Sequence, residues 1–151
     1  MSRVSQAVEL FQQDCACSQA ILATYGETLG LDRNRALRLA TGFAGGMRMG
    51  ETCGAVTGAL MVLGLRHGGD HSGTRRGRDA VYAAVQQFTS RFQQRNGSVI
   101  CKDLLGCDIS TPEGMQTARQ QNLFKTKCTR MVQDAAEILE DMAPGLPPRH
   151  D

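Results

Sequence analysis

The chain has 151 residues, 41% hydrophobic and 21% charged, which suits one soluble globular domain with its own core. A net charge of +2 is too small to argue for nucleic-acid binding, and five Phe, two Tyr and no Trp give no stacking surface for bases. No apolar leader opens the chain and its most apolar stretch, residues 55–65, is too short to span a bilayer, so a cytoplasmic protein away from membranes is expected.

Helical spacing dominates, and no sustained apolar/polar alternation marks a strand. Val4, Ala7, Val8 and Phe11 recur at i, i+3, i+4 and i+7 and predict a first helix. Ala20, Ile21 and Ala23 open a second, stopped by Gly26 or Gly30. Asp32 is the expected N-cap of a third, with Leu37, Leu39 and Ala40 inside it. The glycine-rich run 42–50 breaks the pattern. A fourth helix, from about Glu51 to Arg66, carries Val56, Leu60 and Leu63 on one face and should be buried nearly all round. Gly54, Gly58 and Gly64 lie within it. Glycine costs helix stability, which predicts another backbone packed close against them. Residues 67–73 read as a surface loop. A fifth helix, roughly Arg76 to Gln94, has Val81, Val85, Phe88 and Phe92 as its stripe and ends at Asn96-Gly97. A short helical turn follows within 98–106, and Ser110-Thr111-Pro112-Glu113 is a helix start. The last helix, about Lys125 to Met142, turns Met131, Val132, Ala135, Ile138 and Leu139 inward. The expectation is an all-α, single-domain compact helical bundle of about five to seven helices over residues 1–143, with a flexible tail at 144–151.

Six cysteines, none in a CxxC pair, stand at Cys15, Cys17, Cys53, Cys101, Cys107 and Cys128. Under reducing conditions such residues point to metal binding, catalysis or redox sensing rather than to structural staples. Cys17, Cys53, Cys101 and Cys128 each fall where a helix is expected to start. A helix N-terminus offers unpaired N–H groups and a positive dipole end, and both favour the reactive thiolate. Cys53 heads the most glycine-rich helix and is expected to be the least shielded and most reactive thiol.

Cys53-Gly54-Ala55-Val56-Thr57-Gly58 reads CGAxxG, preceded by Thr41-Gly-Phe-Ala-Gly-Gly and Gly50-Glu-Thr. Cys17-Ser-Gln-Ala-Ile-Leu lies before it; Cys101-Lys-Asp-Leu-Leu-Gly and Cys128 follow. In this the chain resembles the C_GCAxxG_C_C family, small chains called redox-active, with four characteristic cysteines and a CGAxxG motif. The resemblance runs from about residue 7 to 140 and implies that Cys17, Cys53, Cys101 and Cys128 are the family set. Cys15 and Cys107 are extra to the pattern.

Four thiolates drawn together by a fold can hold an iron–sulfur cluster or zinc. The tight CxxC knuckles usual for both are missing, so a site would take single cysteines from four helix starts. Two of them could instead cycle as a dithiol/disulfide pair. The plainer reading, cysteine as a small hydrophobe, is the better one for Cys15 and Cys107. The expected function is therefore a cysteine-based redox-active protein. Cys53, Cys17, Cys101 and Cys128 are its redox and ligand residues, and Gly54 lets backbone approach a bulky centre. It leans to electron transfer on an iron–sulfur cluster, of which 2Fe–2S suits best. A cofactor-free thiol–disulfide oxidoreductase or redox sensor is the first alternative. A non-redox binding module with structural or zinc-bound cysteines is the second.

Other candidates are weaker. His67 and His71 are spaced for a metal on a helix, but Gly68 and Gly69 between them favour two solvated loop histidines. Arg48 could pair with a thiolate, or be an ordinary exposed loop residue. Glu51 suits a helix first turn. The run 42–50 fits neither nucleotide-binding glycine motif, and Met47, Met49 and Met61 read as core filler. No redox partner can be named. The apolar Cys53 helix with its glycines predicts a homodimer.

Overall fold

In the computed structural model, residues 1–143 are described, and the expected tail at 144–151 lies outside them. Ser2 accepts a hydrogen bond from the Ser5 N–H and opens α1 (Arg3–Gln12). α2 (Cys17–Gly26) is the central helix: from Ser18 to Gly26 every residue but Gln19 is buried. Asp32 caps α3 (Arg33–Ala40) as predicted, its carboxylate accepting from the Arg35 N–H at 2.9 Å. α3 turns Ala36 and Ala40 inward, while Leu39, expected inside, is exposed because it falls off the Ala36–Ala40 line.

α4 (Gly54–His67) starts three residues later than predicted, so Glu51 is not in its first turn. Glu51 instead pairs with Lys102 at 3.1 Å. Thr74 caps α5 (Arg75–Asn96), whose Phe88 and Phe92 are fully buried with ring centroids 6.1 Å apart. α6 (Cys101–Leu105) is a single short helix, and α7 (Pro112–Gln120) starts at a Thr111 cap with Pro112 at its first position. A π-helical turn, Phe124–Cys128, runs unbroken into α8 (Thr129–Asp141). All five residues expected to face inward from the last helix are buried. The described residues thus form the expected all-α bundle, of eight α-helices with the five-residue α6 among them. None of these helices is long and apolar enough to cross a membrane.

α2 and α4 lie against each other more closely than ordinary side chains allow. A Cβ on Gly58 would stand 2.8 Å from the Ser18 carbonyl oxygen and 3.2 Å from the Ser18 Cα. A Cβ on Gly54 would run into the Cys17 sulfur and stand 3.1 Å from the Ala44 Cα. Two of the three glycines therefore do face approaching backbone, as the sequence predicts. Gly64 does not: nothing lies within 4 Å of its Cβ position. At the far end of these helices Arg66 donates to the Leu139 carbonyl at 2.8 Å and lies 5.7 Å over the Tyr25 ring, tying α4, α8 and α2 together.

The apolar residues fall into two clusters. The larger joins α1 to α5 and α8 and includes Cys53. The smaller is built on Cys101, Leu105, Ile109, Ala118 and Leu123, from α6, α7 and the segments beside them. The seam between these clusters positions the site.

Candidate redox site

One antiparallel bridge, Thr52 with Ile100, stitches the seam. The Cys53 N–H donates to the Val99 carbonyl at 2.8 Å, and the Cys101 N–H donates to the Glu51 carbonyl at 2.5 Å. The starts of α4 and α6 are thereby held side by side. The start of α2 is pinned just as firmly. Ser18 Oγ donates to the Ala40 carbonyl at 2.8 Å, and Gln19 accepts from the Ala16 N–H while donating to the Leu37 carbonyl. These bonds place Cys17 over Gly54.

Cys17, Cys53, Cys101 and Cys128 line one cavity of about 200 Å³. The main core contributes Cys53, with Cys17 packed against it, and the smaller cluster contributes Cys101, with Cys128 packed against it. Phe11, Leu104, Ile109, Met115 and Phe124 make much of the remaining wall apolar. Cys15 and Cys107 do not line it. The sequence-predicted set is brought together, and all six cysteines are free.

Three of the four sit at helix starts: Cys17 and Cys101 are the first residues of α2 and α6, and Cys53 is the N-cap of α4. Cys128 is not, contrary to expectation. It has helical φ/ψ of −67° and −36°, inside the unbroken run from the π-helical turn into α8. The chain is already helical from Phe124, so Cys128 heads no orphan N–H groups.

The backbone N–H groups of Gly45, Ser18, Ala55 and Cys17 itself lower the Cys17 pKa, and those of Ala55 and Val56 lower that of Cys53. Cys17 and Cys101 are common neighbours: each is electrostatically coupled to the other and to Cys53 and Cys128. The expected low pKa values do not follow, however. Burial raises Cys17 above the ordinary value of 9.0 despite these N–H groups, and burial with the nearby Cys17 raises Cys53 well above it. Burial first, then Cys17, pushes Cys101 to about 11 and Cys128 to about 12. Desolvation outweighs the helix starts. Cys53 is only 6% exposed, so the expectation that it is the least shielded thiol is wrong.

A titration follows from these directions. A thiol whose folded pKa lies above its unfolded value holds its proton more tightly in the folded chain. Its contribution to stability is whole below about 9.0 and is lost as pH rises through about 11 for Cys101 and about 12 for Cys128. The denaturation midpoint of the reduced, metal-free protein should therefore fall across that window. The fall should be shallower in a Cys101→Ala/Cys128→Ala variant. Equal slopes for both proteins would mean that the two thiols are not buried.

Arg48 is the residue the sequence weighed least well. Gly45, Gly46, Met47 and Arg48 have φ of 65°, 65°, 60° and 59°, a left-handed turn that costs a non-glycine residue roughly 1–2 kcal/mol. The turn folds the Arg48 side chain back over Gly45, with Nη1 3.2 Å from that residue's Cβ position, and into the cavity wall. There its charge lowers the Cys101 pKa against the burial that raises it. The glycine pair signalled a turn, but nothing in Met47 or Arg48 signals left-handed backbone. Arg48→Gly should raise stability by about 1 kcal/mol by releasing that strain and make Cys101 alkylate more slowly at mildly alkaline pH. A loss of stability with unchanged Cys101 labelling would remove Arg48 from the site.

The remaining candidates take other roles. His67 ends α4 half-buried, its Nε2 without a hydrogen-bond partner, and burial then Arg66 lower its pKa, so it is not a solvated loop residue. His71 is exposed on a short turn, as expected. Met49 is exposed rather than core filler. Among the described residues no group of three or more His, Cys, Asp or Glu is arranged to hold a single metal ion.

A family model described as "Putative redox-active protein (C_GCAxxG_C_C)" matches residues 15–142. The chain belongs to that family. No curated protein and no solved structure matches it. The match to the C_GCAxxG_C_C family takes in all six cysteines, the four that line the cavity among them.

Proposed function

We propose that this C_GCAxxG_C_C protein is a cysteine-based redox protein whose working site is the cavity of Cys17, Cys53, Cys101 and Cys128. The observation that carries the reading is the convergence of these four residues, from four separate segments, on one cavity. Bare hydrophobic packing would not need it. A dry void of about 200 Å³ would cost on the order of 5 kcal/mol, and a small domain has only about 5–15 kcal/mol in all.

The donor set and walls fit an iron–sulfur cluster. Four thiols are the usual ligands, an apolar wall excludes water, and N–H groups aimed at Cys17 and Cys53 offset negative charge on sulfur. Cys17, Cys53, Cys101 and Cys128 would hold it, with Gly54 leaving room for the Cys17 sulfur. A cluster of the 2Fe–2S kind would supply one-electron transfer. Arg48 would then balance charge at the Cys101 side. Iron and acid-labile sulfide analysis of anaerobically purified protein tests this reading, and loss of both in each of the four single Cys→Ser variants is the expected result.

A second reading, a cofactor-free dithiol/disulfide couple, is favoured by a specific observation: the thiols act on one another electrostatically but do not close around one ion. That geometry argues least for zinc. A reducing compartment, the cytoplasm, goes with six free cysteines. A homodimer is the proposed assembly, on a narrower basis than its sequence rationale, because the chain's own core buries half of α4. One strip of that helix, Thr57, Met61, Gly64 and Leu65, stays at least partly open. Light scattering giving a mass near 16.3 kDa would rule the dimer out.

A further inference from the structure

Cys107 stands just outside the cavity. It follows Gly106, whose φ of 76° ends α6 and whose N–H donates to the Lys102 carbonyl at 2.9 Å. Such a left-handed cap folds the next residue back toward the first turn of the helix it ends, which here begins with Cys101. Cys107 packs, with Cys128, against the small cluster that contains Cys101. Its charge acts on both Cys101 and Cys128. It is half-buried yet does not line the cavity, so its accessible surface faces away from the cavity. Cys101, by contrast, is buried, as is Cys53.

We propose that Cys107 is the entry thiol of the site: it reacts with a small disulfide from solution and passes the oxidation inward to Cys101. This rests on the reading of the cavity cysteines as redox groups, in their cluster-free state. In the first step the Cys107 thiolate attacks one sulfur of the small disulfide. The S–S bond breaks, one small thiol leaves with a proton, and a mixed disulfide forms on Cys107. In the second step the Cys101 sulfur, losing its proton, attacks the Cys107 sulfur and expels the other small thiol. Two protein thiols are oxidised to one internal disulfide while one small disulfide is reduced to two thiols. The first step needs access, which Cys107 has; the second needs only proximity, which suits a buried thiol.

The test is oxidation of the reduced, metal-free, full-length protein by oxidised glutathione, with acid quenching and peptide mass mapping over time. Wild type should show a transient glutathione adduct on Cys107, replaced by a Cys101–Cys107 disulfide. Cys101→Ser should trap the adduct on Cys107. Cys107→Ser and Cys107→Ala should both keep their helical circular dichroism and lose internal oxidation by roughly tenfold in rate or more. A first adduct on any other cysteine, or a Cys107–Cys128 bond in place of Cys101–Cys107, overturns the proposal. Wild-type oxidation of the cavity cysteines in Cys107→Ser also overturns it while leaving the four-cysteine reading intact. That reading fails separately, if no cavity cysteine forms a disulfide or binds iron in wild type.

Discussion

Gly58→Ala should destabilise the protein by about 2–3 kcal/mol, and Gly54→Ala by at least as much. At position 58 the new methyl meets the Ser18 carbonyl oxygen and Cα of the central helix, at 2.8 and 3.2 Å. These are backbone atoms held by the Ser18 hydroxyl bond to the Ala40 carbonyl, so α2 cannot give way without loosening α3. At position 54 the methyl takes the space of the Cys17 sulfur, so the same change should also disturb the redox site. Gly64→Ala is the internal control. Nothing lies within 4 Å of that Cβ position, and alanine is a better helix former than glycine by about 1 kcal/mol. Its denaturation midpoint should therefore hold or rise. Three variants that fall alike would mean that α2 and α4 do not pack through Gly54 and Gly58.

Cys17→Ser is expected to have the largest functional effect of any single cysteine change. Cys17 is electrostatically coupled to all three other cavity thiols, as Cys101 is, and its sulfur alone sits against Gly54 at the α2–α4 contact. Removing its sulfur should abolish iron and sulfide retention, or in the cluster-free protein remove the reversible thiol couple. Serine is close in size, so the cost in stability should stay near 1 kcal/mol. Cys15→Ser is the matched comparison two residues away. Cys15 packs against the main core and stays out of the cavity, so its loss should leave redox behaviour unchanged. Equal effects of the two changes would deny Cys17 its central place.

Much of the fold is legible in local pattern. The stripe from Met131 to Leu139 and the pair Phe88 and Phe92 repeat at helical spacing and are buried. Asp32 and Thr111-Pro112 mark helix starts by side-chain chemistry that acts within one turn. The four site cysteines are legible through the CGAxxG pattern and the family it belongs to. What the sequence does not carry is what depends on distant neighbours. Burial reverses the expected thiol pKa values, and burial is set by segments far apart in the chain, from Phe11 to Met131, meeting around the cavity. Cys128 follows Lys125-Thr126-Lys127, which read as a helix start, but the helix had begun a turn earlier at Phe124. The left-handed turn at Met47 and Arg48 is imposed by its closure onto Glu51, whose N–H donates to the Gly46 carbonyl at 3.1 Å. Cys107 looks like packing until the Gly106 cap brings it back toward Cys101.

The visible absorption spectrum of anaerobically purified protein, taken before and after reduction, tests the central claim most directly. Sulfur-to-iron charge-transfer bands that bleach on reduction, present in wild type and in Cys15→Ser but absent in Cys17→Ser, are the predicted result. A spectrum with the same bands in Cys17→Ser as in wild type would contradict the account, because the redox centre would then lie somewhere other than the four-cysteine cavity.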